Sequence, residues 1–299
     1  MEEKIKQLKM LKNAVILAHY YAPKEVQAVA DYVGDSFYLA KVAKQSCADV
    51  IVFCGVYFMG ESAKILNPQK KVLMPDITAD CPMAHMVKPG LIEKIRAKYD
   101  DVAVACYINS TARLKSQSDV CVTSSNAVKI VRSLPNKNIF FIPDRNLGRY
   151  VAEQVPEKNI ILNDGYCPIH NFLTAEQLRN EIAEHPNAVV LSHPECEREV
   201  LELSDYIGST AEIIDYAKLS PASEFIVCTE EGVVFKLGED NPDKSFYFPK
   251  PHPCCKDMKL NTLQGIISVL EKEENSVEVS EEIRLKALKP LERMLELAK

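Results

Sequence analysis

Three proline-flanked cysteine turns, Cys81-Pro82, Cys167-Pro168 and Pro253-Cys254-Cys255, recur along the chain. One thiolate from each, converging on a point, makes a poor tetrahedral zinc site but a good three-point mount for an iron–sulfur cluster. A [4Fe–4S] cluster held by three cysteines leaves one iron open, and that iron can polarise a substrate oxygen as a Lewis acid. The bland alternative is a set of buried thiols, since free cysteine packs as a small hydrophobe. Zinc is a second alternative, because Cys167-x-x-His170 and His193-x-x-Cys196 together spell a Cys2His2 set.

Two further groups travel with the cysteines. Apolar runs end on His19-Tyr20-Tyr21, on Tyr107-Ile108-Asn109 and on His193-Pro194-Glu195, which offer imidazole, phenol, amide and carboxylate functions. Seventeen residues after His19, Tyr107 and His193 stand Ser36, Ser124 and Thr210, each closing a segment led by an aspartate: Asp31, Asp119 or Asp205. The cysteine then follows the hydroxyl by 45, 43 and 45 residues, which selects Cys255 over Cys254. Adjacent cysteines on an extended chain cannot both aim the same way. A single matching offset is a coincidence of any α/β chain, but three stations in the same order three times indicate internal triplication. Glu195 shares a strand face with His193, which suits a general base beside an anion-binding or proton-donating imidazole.

The elements that must carry these groups alternate short β-rich runs with longer amphipathic stretches, the pattern of an α/β fold. Strands are expected at 14–18, 50–53, 102–105, 139–142, 188–191, 225–228 and 246–248, and helices around 24–33, 36–46, 61–66, 90–98, 126–133, 174–184 and 261–271. Residues 280–299 read as a packing helix despite Pro290. Self-similarity divides the chain into α/β repeats at 13–86, 99–172 and 186–258, followed by C-terminal helices at 259–299. In parallel sheets active groups collect at the carboxyl ends of the strands, so three units point toward a common pseudo-threefold axis and a central cavity. The turns Gly34-Asp35-Ser36, Thr123-Ser124-Ser125-Asn126 and Gly208-Ser209-Thr210 each fall between strand and helix. Helix starts present free N–H groups and a positive dipole end, so three of them suit a substrate with several anionic groups.

Composition removes other classes. The 299 residues are 47% apolar and 26% charged, with 36 basic against 42 acidic side chains and a net charge of −6. That excludes disorder and gives no electrostatic footprint for nucleic acid. The apolar run from Val50 to Met59 is too short for a bilayer, and Met1-Glu2-Glu3-Lys4 does not open a signal peptide. A cytoplasmic, reduced protein is expected, in which Cys54, Cys106, Cys121 and Cys228 are core residues of strands. No Gly-x-Gly-x-x-Gly or Gly-x-x-x-x-Gly-Lys-Ser/Thr cradle is present, so nucleotide binding is not supported.

The same residues resemble the quinolinate synthase family over essentially the whole chain. The resemblance rests on Ala18-His19-x-Tyr21, Gly34-Asp35-Ser36, Lys64-Ile-Leu-Asn-Pro68, Cys81-Pro-Met83, Tyr107-x-Asn109-Ser-Thr111 and Thr123-Ser-x-Asn-Ala127. It continues through Pro143-Asp-Arg-Asn-Leu-Gly148, Gly165-x-Cys167-x-x-His170, His193-Pro-Glu195-Cys196, Gly208-Ser-Thr210 and Cys255-x-x-Met258. It implies condensation of iminosuccinate with dihydroxyacetone phosphate to quinolinate, phosphate and water in NAD biosynthesis, with an iminosuccinate-producing enzyme as functional partner. By residue match it implies Cys81, Cys167 and Cys255 as ligands of a [4Fe–4S] cluster. It implies His19, Ser36, Tyr107, Asn109, Ser124, His193, Glu195 and Thr210 as substrate contacts, and Tyr21 and Glu195 as proton-transfer residues. The chain departs from the family pattern at Tyr20, Ala22 and Tyr57 and in the vicinal Cys254. The residues alone also admit an iron–sulfur hydro-lyase acting on a small hydroxy acid. A non-enzymatic iron–sulfur sensor or redox protein is a third reading, one that needs neither an open iron nor converging hydroxyl turns.

Overall fold

Parallel strands covered on both faces read as unbroken apolar runs, and this chain carries three sets of them. The computed structural model describes residues 1–299 and folds them into three four-stranded sheets, each wholly parallel. The first sheet holds β1 (Ala14–His19), β2 (Tyr32–Gly34), β3 (Val50–Cys54) and β4 (Lys71–Leu73) in the order β2-β1-β3-β4. The second holds β5 (Val102–Tyr107), β6 (Val120–Val122), β7 (Asn138–Ile142) and β8 (Asn159–Leu162) in the order β6-β5-β7-β8. The third holds β9 (Val189–Ser192), β10 (Tyr206–Ile207), β11 (Glu224–Cys228) and β12 (Ser245–Tyr247) in the order β10-β9-β11-β12. The order repeats three times, and so does the register: Leu17 pairs with Tyr32, Ala105 with Val120, and Leu191 with Tyr206.

The repeated aspartates have a structural task. Asp31, Asp119 and Asp205 each accept through Oδ2 from a backbone N–H of the first strand of their sheet, those of Ile16, Val104 and Val190, at 2.8, 2.7 and 2.8 Å. Each also donates its own N–H to the carbonyl of the same residue, at 2.9, 3.0 and 3.0 Å. The second strand of each sheet begins just after this point, so the carboxylate occupies a strand N–H that would otherwise lack a ladder partner. The same clamp sets the register of all three edge strands.

The seven expected strands are present within a residue or two of the predicted bounds, and the three aspartate-led segments, read as strands from sequence, form β2, β6 and β10. β4 and β8 are additional. The expected helix 24–33 stops at Val29, because Asp31 must begin its clamp; the helix expected at 61–66 begins earlier, at Tyr57. After the third sheet the chain returns to the first. Helix Leu263–Lys272 and the N-terminal helix Glu2–Leu11 bury Ile266, Ile267, Leu270 and Ile5 against Ile16, Val50 and Val52. Residues 275–277 then pair beyond β4, with Asn275 accepting from the Met74 N–H at 3.1 Å and Val277 donating to the Val72 carbonyl at 2.8 Å. The last helix, Glu281–Leu297, places Ala287, Leu291 and Met294 in one continuous core with Val104, Ile130 and Ala63. Pro290 lies inside that helix and is buried. No helix is long and apolar enough to cross a membrane.

Asp205 has no other side-chain partner among the clamps, so Asp205→Ala isolates the effect. It should lower unfolding free energy by about 1–3 kcal/mol, the cost of an unsatisfied strand N–H. Asp205→Asn keeps an acceptor oxygen and should lose less in the same denaturant titration.

Candidate active site

The carboxyl ends of the strands and the helix starts beyond them surround one cavity of about 260 Å³. His19 closes β1 and Tyr107 closes β5, while His193 follows β9 directly. Ser36 and Thr210 are the first residues of helices Ser36–Gln45 and Thr210–Leu219, capped by the side chains of Asp35 and Ser209. In the second unit the helix starts three residues later, at Ala127, leaving Ser124 in the preceding turn. The residues expected to hold the cluster, bind substrate or move protons all line this cavity: His19, Tyr21, Ser36, Cys81, Tyr107, Asn109, Ser124, Cys167, His193, Glu195, Thr210 and Cys255.

The three thiols are set by a repeated backbone arrangement. The N–H groups of Ala84, His170 and Met258, each three residues beyond its cysteine, lie against the sulfurs of Cys81, Cys167 and Cys255 and favour the thiolate. Burial works the other way and dominates, pushing all three thiols up, Cys255 to about 11. A charge on Cys255 raises Cys81 further, and one on Cys81 raises Cys167, so the three sense one another across the cavity. Buried thiols of this kind ionise when a metal centre supplies the positive charge, and three of them with backbone donors suit an iron–sulfur cluster with one open corner. Cys254 also lines the cavity, but its perturbing neighbours after burial are Glu231, Glu230 and Lys259 and include no thiol.

Each of these cysteines also donates its own backbone N–H to a carboxylate. Asp80 accepts from Cys81 at 2.7 Å, Asp144 from Cys167 at 2.9 Å, and Glu230 from Cys255 at 3.0 Å. Asp144 and Glu230 stand 37 residues after Tyr107 and His193, a fourth recurring station that the same spacing arithmetic would have found. The first unit has Val56 there and uses the local Asp80 instead. Gly165, in the approach to Cys167, is required by space: a Cβ there would lie 2.5 Å from the Pro143 carbonyl oxygen.

The zinc alternative is not assembled. Cys196 turns away into the core with Val190, Ile226 and Cys228, and its thiol donates to the Cys228 carbonyl at 3.3 Å. His170 stays in the cavity, with Nδ1 2.6 Å from Glu195 Oε2 and 3.3 Å from Cys167 Sγ.

His170 and Thr229 are the two residues that sequence reasoning left out of the site. His170 was considered only as a ligand of the alternative zinc set and as part of a motif, and Thr229 sits just past the carboxyl end of β11, 36 residues after His193. Together they link the two candidate proton-transfer groups. Thr210 Oγ1 lies 2.8 Å from Tyr21 Oη, Tyr21 Oη 2.7 Å from Thr229 Oγ1, and Thr229 Oγ1 2.9 Å from His170 Nε2. One direction of donation, from Thr210 through Tyr21, Thr229 and His170 to Glu195, satisfies every link.

Burial opposes ionisation of Glu195, but His170 and His193 beside it outweigh that effect and hold its carboxyl down at about 2. Its Oε1 is buried without a hydrogen-bond partner, as is Asn109 Oδ1. Buried polar atoms rarely go unpaired, so both await a ligand that completes them. His19 and His193 are pushed down to about 3 by burial and stay neutral. Their Nδ1 atoms accept from the N–H groups two residues on, those of Tyr21 at 3.2 Å and Glu195 at 3.3 Å. That leaves the proton on Nε2 in each ring, available to an acceptor. Burial raises Tyr21 and Tyr107 well above the usual phenol value, so both remain hydroxyl donors.

A buried cavity of orphaned polar groups at the joint of three α/β units is the arrangement of an enzyme acting on a small molecule. A sequence profile of the family described as Quinolinate synthetase A protein matches residues 3–296. A quinolinate synthase of Fusobacterium nucleatum subsp. nucleatum is 55% identical over 298 residues, covering 100% of this chain and 99% of its own. Those of Caldicellulosiruptor bescii and Clostridioides difficile are 52% and 51% identical, covering 99% and 98% of this chain and 98% and 97% of theirs. The chain belongs to the quinolinate synthase family.

The two neutral histidines set an acid limit. Their ordinary value is 6.5 and the folded value is about 3, so the unfolded chain binds more protons between these limits. Stability is therefore full above 6.5 and falls as pH drops below it, by about 3 kcal/mol at roughly pH 5.5 for both rings together. Glu195 adds its loss only in a lower window, from 4.5 down to about 2. Denaturant titrations of the metal-free protein at about pH 7.5 and 5.5 should show the histidine loss, and a His19→Gln, His193→Gln double variant should show little of it.

Proposed function

We propose that the chain is a quinolinate synthase that condenses iminosuccinate with dihydroxyacetone phosphate, forming quinolinate, phosphate and water for NAD biosynthesis. Its functional partner is then the enzyme that supplies iminosuccinate, and its site is cytoplasmic. The observation that carries this reading is the gathering of three thiols and an unpartnered Glu195 carboxylate oxygen in one cavity. The repeats 13–86, 99–172 and 186–258 act as three domains, each contributing one thiol, with 259–299 closing the ring.

Cys81, Cys167 and Cys255 would hold a [4Fe–4S] cluster. Bound there, it supplies a Lewis-acidic iron able to polarise a substrate oxygen or nitrogen. The remaining chemistry belongs to the protein. Ser36 and Ser124 present hydroxyls, and the helix N-termini at Ser36 and Thr210 present partial positive charge, to the carboxylates of iminosuccinate. The Nε2–H groups of His19 and His193 donate to the same anion, and Tyr107 and Asn109 fix its orientation. Glu195 Oε1 accepts a proton from the substrate, with its basicity shared with His170 through the 2.6 Å contact. When Glu195 and His170 share that proton, donation reverses from His170 Nε2 through Thr229 to Tyr21, which frees the Tyr21 hydroxyl on the far side of the cavity to return a proton to a departing oxygen.

Anaerobic reconstitution with iron and sulfide should yield a protein that forms quinolinate. Cys81→Ala, Cys167→Ala and Cys255→Ala should each lose both bound iron and product, whereas Cys254→Ala should retain both; the reverse result for the last two would exchange the third ligand. Glu195→Gln should retain iron and lose about 10²–10⁴-fold in kcat, the usual span for a positioned proton-transfer group.

A further inference from the structure

The cavity is short of positive charge. Five carboxylates line it, those of Asp35, Asp80, Glu195, Glu230 and Asp257, against a single lysine or arginine, Lys256. Neighbouring Lys259 is already engaged, 2.8 Å from the Glu230 carboxylate and 2.8 Å from the Tyr21 carbonyl. Lys256 has no ion-pair partner and is exposed at the rim, one residue beyond Cys255.

Resting on the function proposed above, we infer that Lys256 is the residue that captures the phosphate group of the second substrate and guides its release. A carboxylate is satisfied by hydroxyls and helix N-termini deep in the site, groups that carry only partial charge. A phosphate dianion entering a cavity lined by five carboxylates, of which Glu230 has Lys259 as a partner, needs a full positive charge, and the compact ammonium of lysine is a point-charge phosphate binder. Position argues the same way. Phosphate is a product that must return to water, and His19, His193 and Glu195 are nearly sealed off, at 5%, 3% and 2% exposure, while Lys256 faces solvent. A flexible cation at the rim can hold the anion during entry and surrender it on departure.

The cluster-loaded protein and its Lys256→Gln and Lys256→Arg variants provide the test. Lys256→Gln should raise KM for dihydroxyacetone phosphate about 10–100-fold, the worth of one charge-assisted hydrogen bond, and KM for iminosuccinate by less than about twofold. Lys256→Arg should recover most of the loss. Calorimetric titration with inorganic phosphate and, separately, with succinate should show phosphate binding weakened by Lys256→Gln and succinate binding retained. Unchanged phosphate binding in Lys256→Gln, or an equal loss for succinate, would overturn the assignment. Quinolinate formation by the unsubstituted protein is scored independently: its absence defeats the proposed reaction, while the phosphate titration still decides the role of Lys256.

Discussion

The backbone N–H groups of Cys81, Cys167 and Cys255 are each donated to a carboxylate, and those hydrogen bonds anchor the three turns that carry the thiols. Proline after Cys81 and Cys167 fixes the backbone but offers no N–H of its own, so the cysteine N–H is the anchor left to each turn. Asp144 and Glu230 lie two residues beyond β7 and β11, which ties the second and third turns to the central strands of their sheets. Asp80 is different. It is adjacent to Cys81 in sequence and pairs with the exposed His85 at 2.7 Å, so the first turn is held by local contacts rather than by its sheet. The carboxylates do a second thing: they bring negative charge to a cavity that must accept anions, which is why an unpaired lysine at its rim matters.

The hydrogen-bonded chain inside the cavity crosses the units. Tyr21 comes from the first, His170 from the second, and Thr210, Thr229 and Glu195 from the third. No unit alone holds a complete path between Glu195 and Tyr21. After the third sheet the chain returns to cover one face of the first, pairs along its edge at β4 and ends in a helix packed against the first and second. The C-terminal helices therefore tie the first and second units together, although none of their side chains enters the cavity.

Burial sorts the titratable groups into roles. Two histidines are kept neutral and point a fixed Nε2–H toward the ligand space, because a backbone N–H occupies Nδ1 in each. Both phenols are kept protonated, and one carboxylate is kept ionised against the effect of burial by the two imidazoles beside it. A dry, pre-ordered set of donors around one ionised acceptor is how a protein stabilises developing charge without reorganising at the moment of reaction.

Much of this was legible in the chain. The offset of 17 between strand-end group and hydroxyl, and of 43 to 45 onward to the cysteine, survives because each unit repeats one register, with the aspartate clamp spaced 15 residues from the strand N–H it fills. Local rules were enough for helix caps at Asp35 and Ser209 and for apolar strands buried on both faces. The pairing of Tyr21 with Thr229, of His170 with Glu195, and the diversion of Cys196 into the core could not be read that way. The first two join residues up to 208 positions apart and depend on how the three units meet, whereas Cys196 is turned aside by packing within its own unit. Spacing along a strand determines which residues share a face within one unit; only the packing of units against one another determines which faces touch.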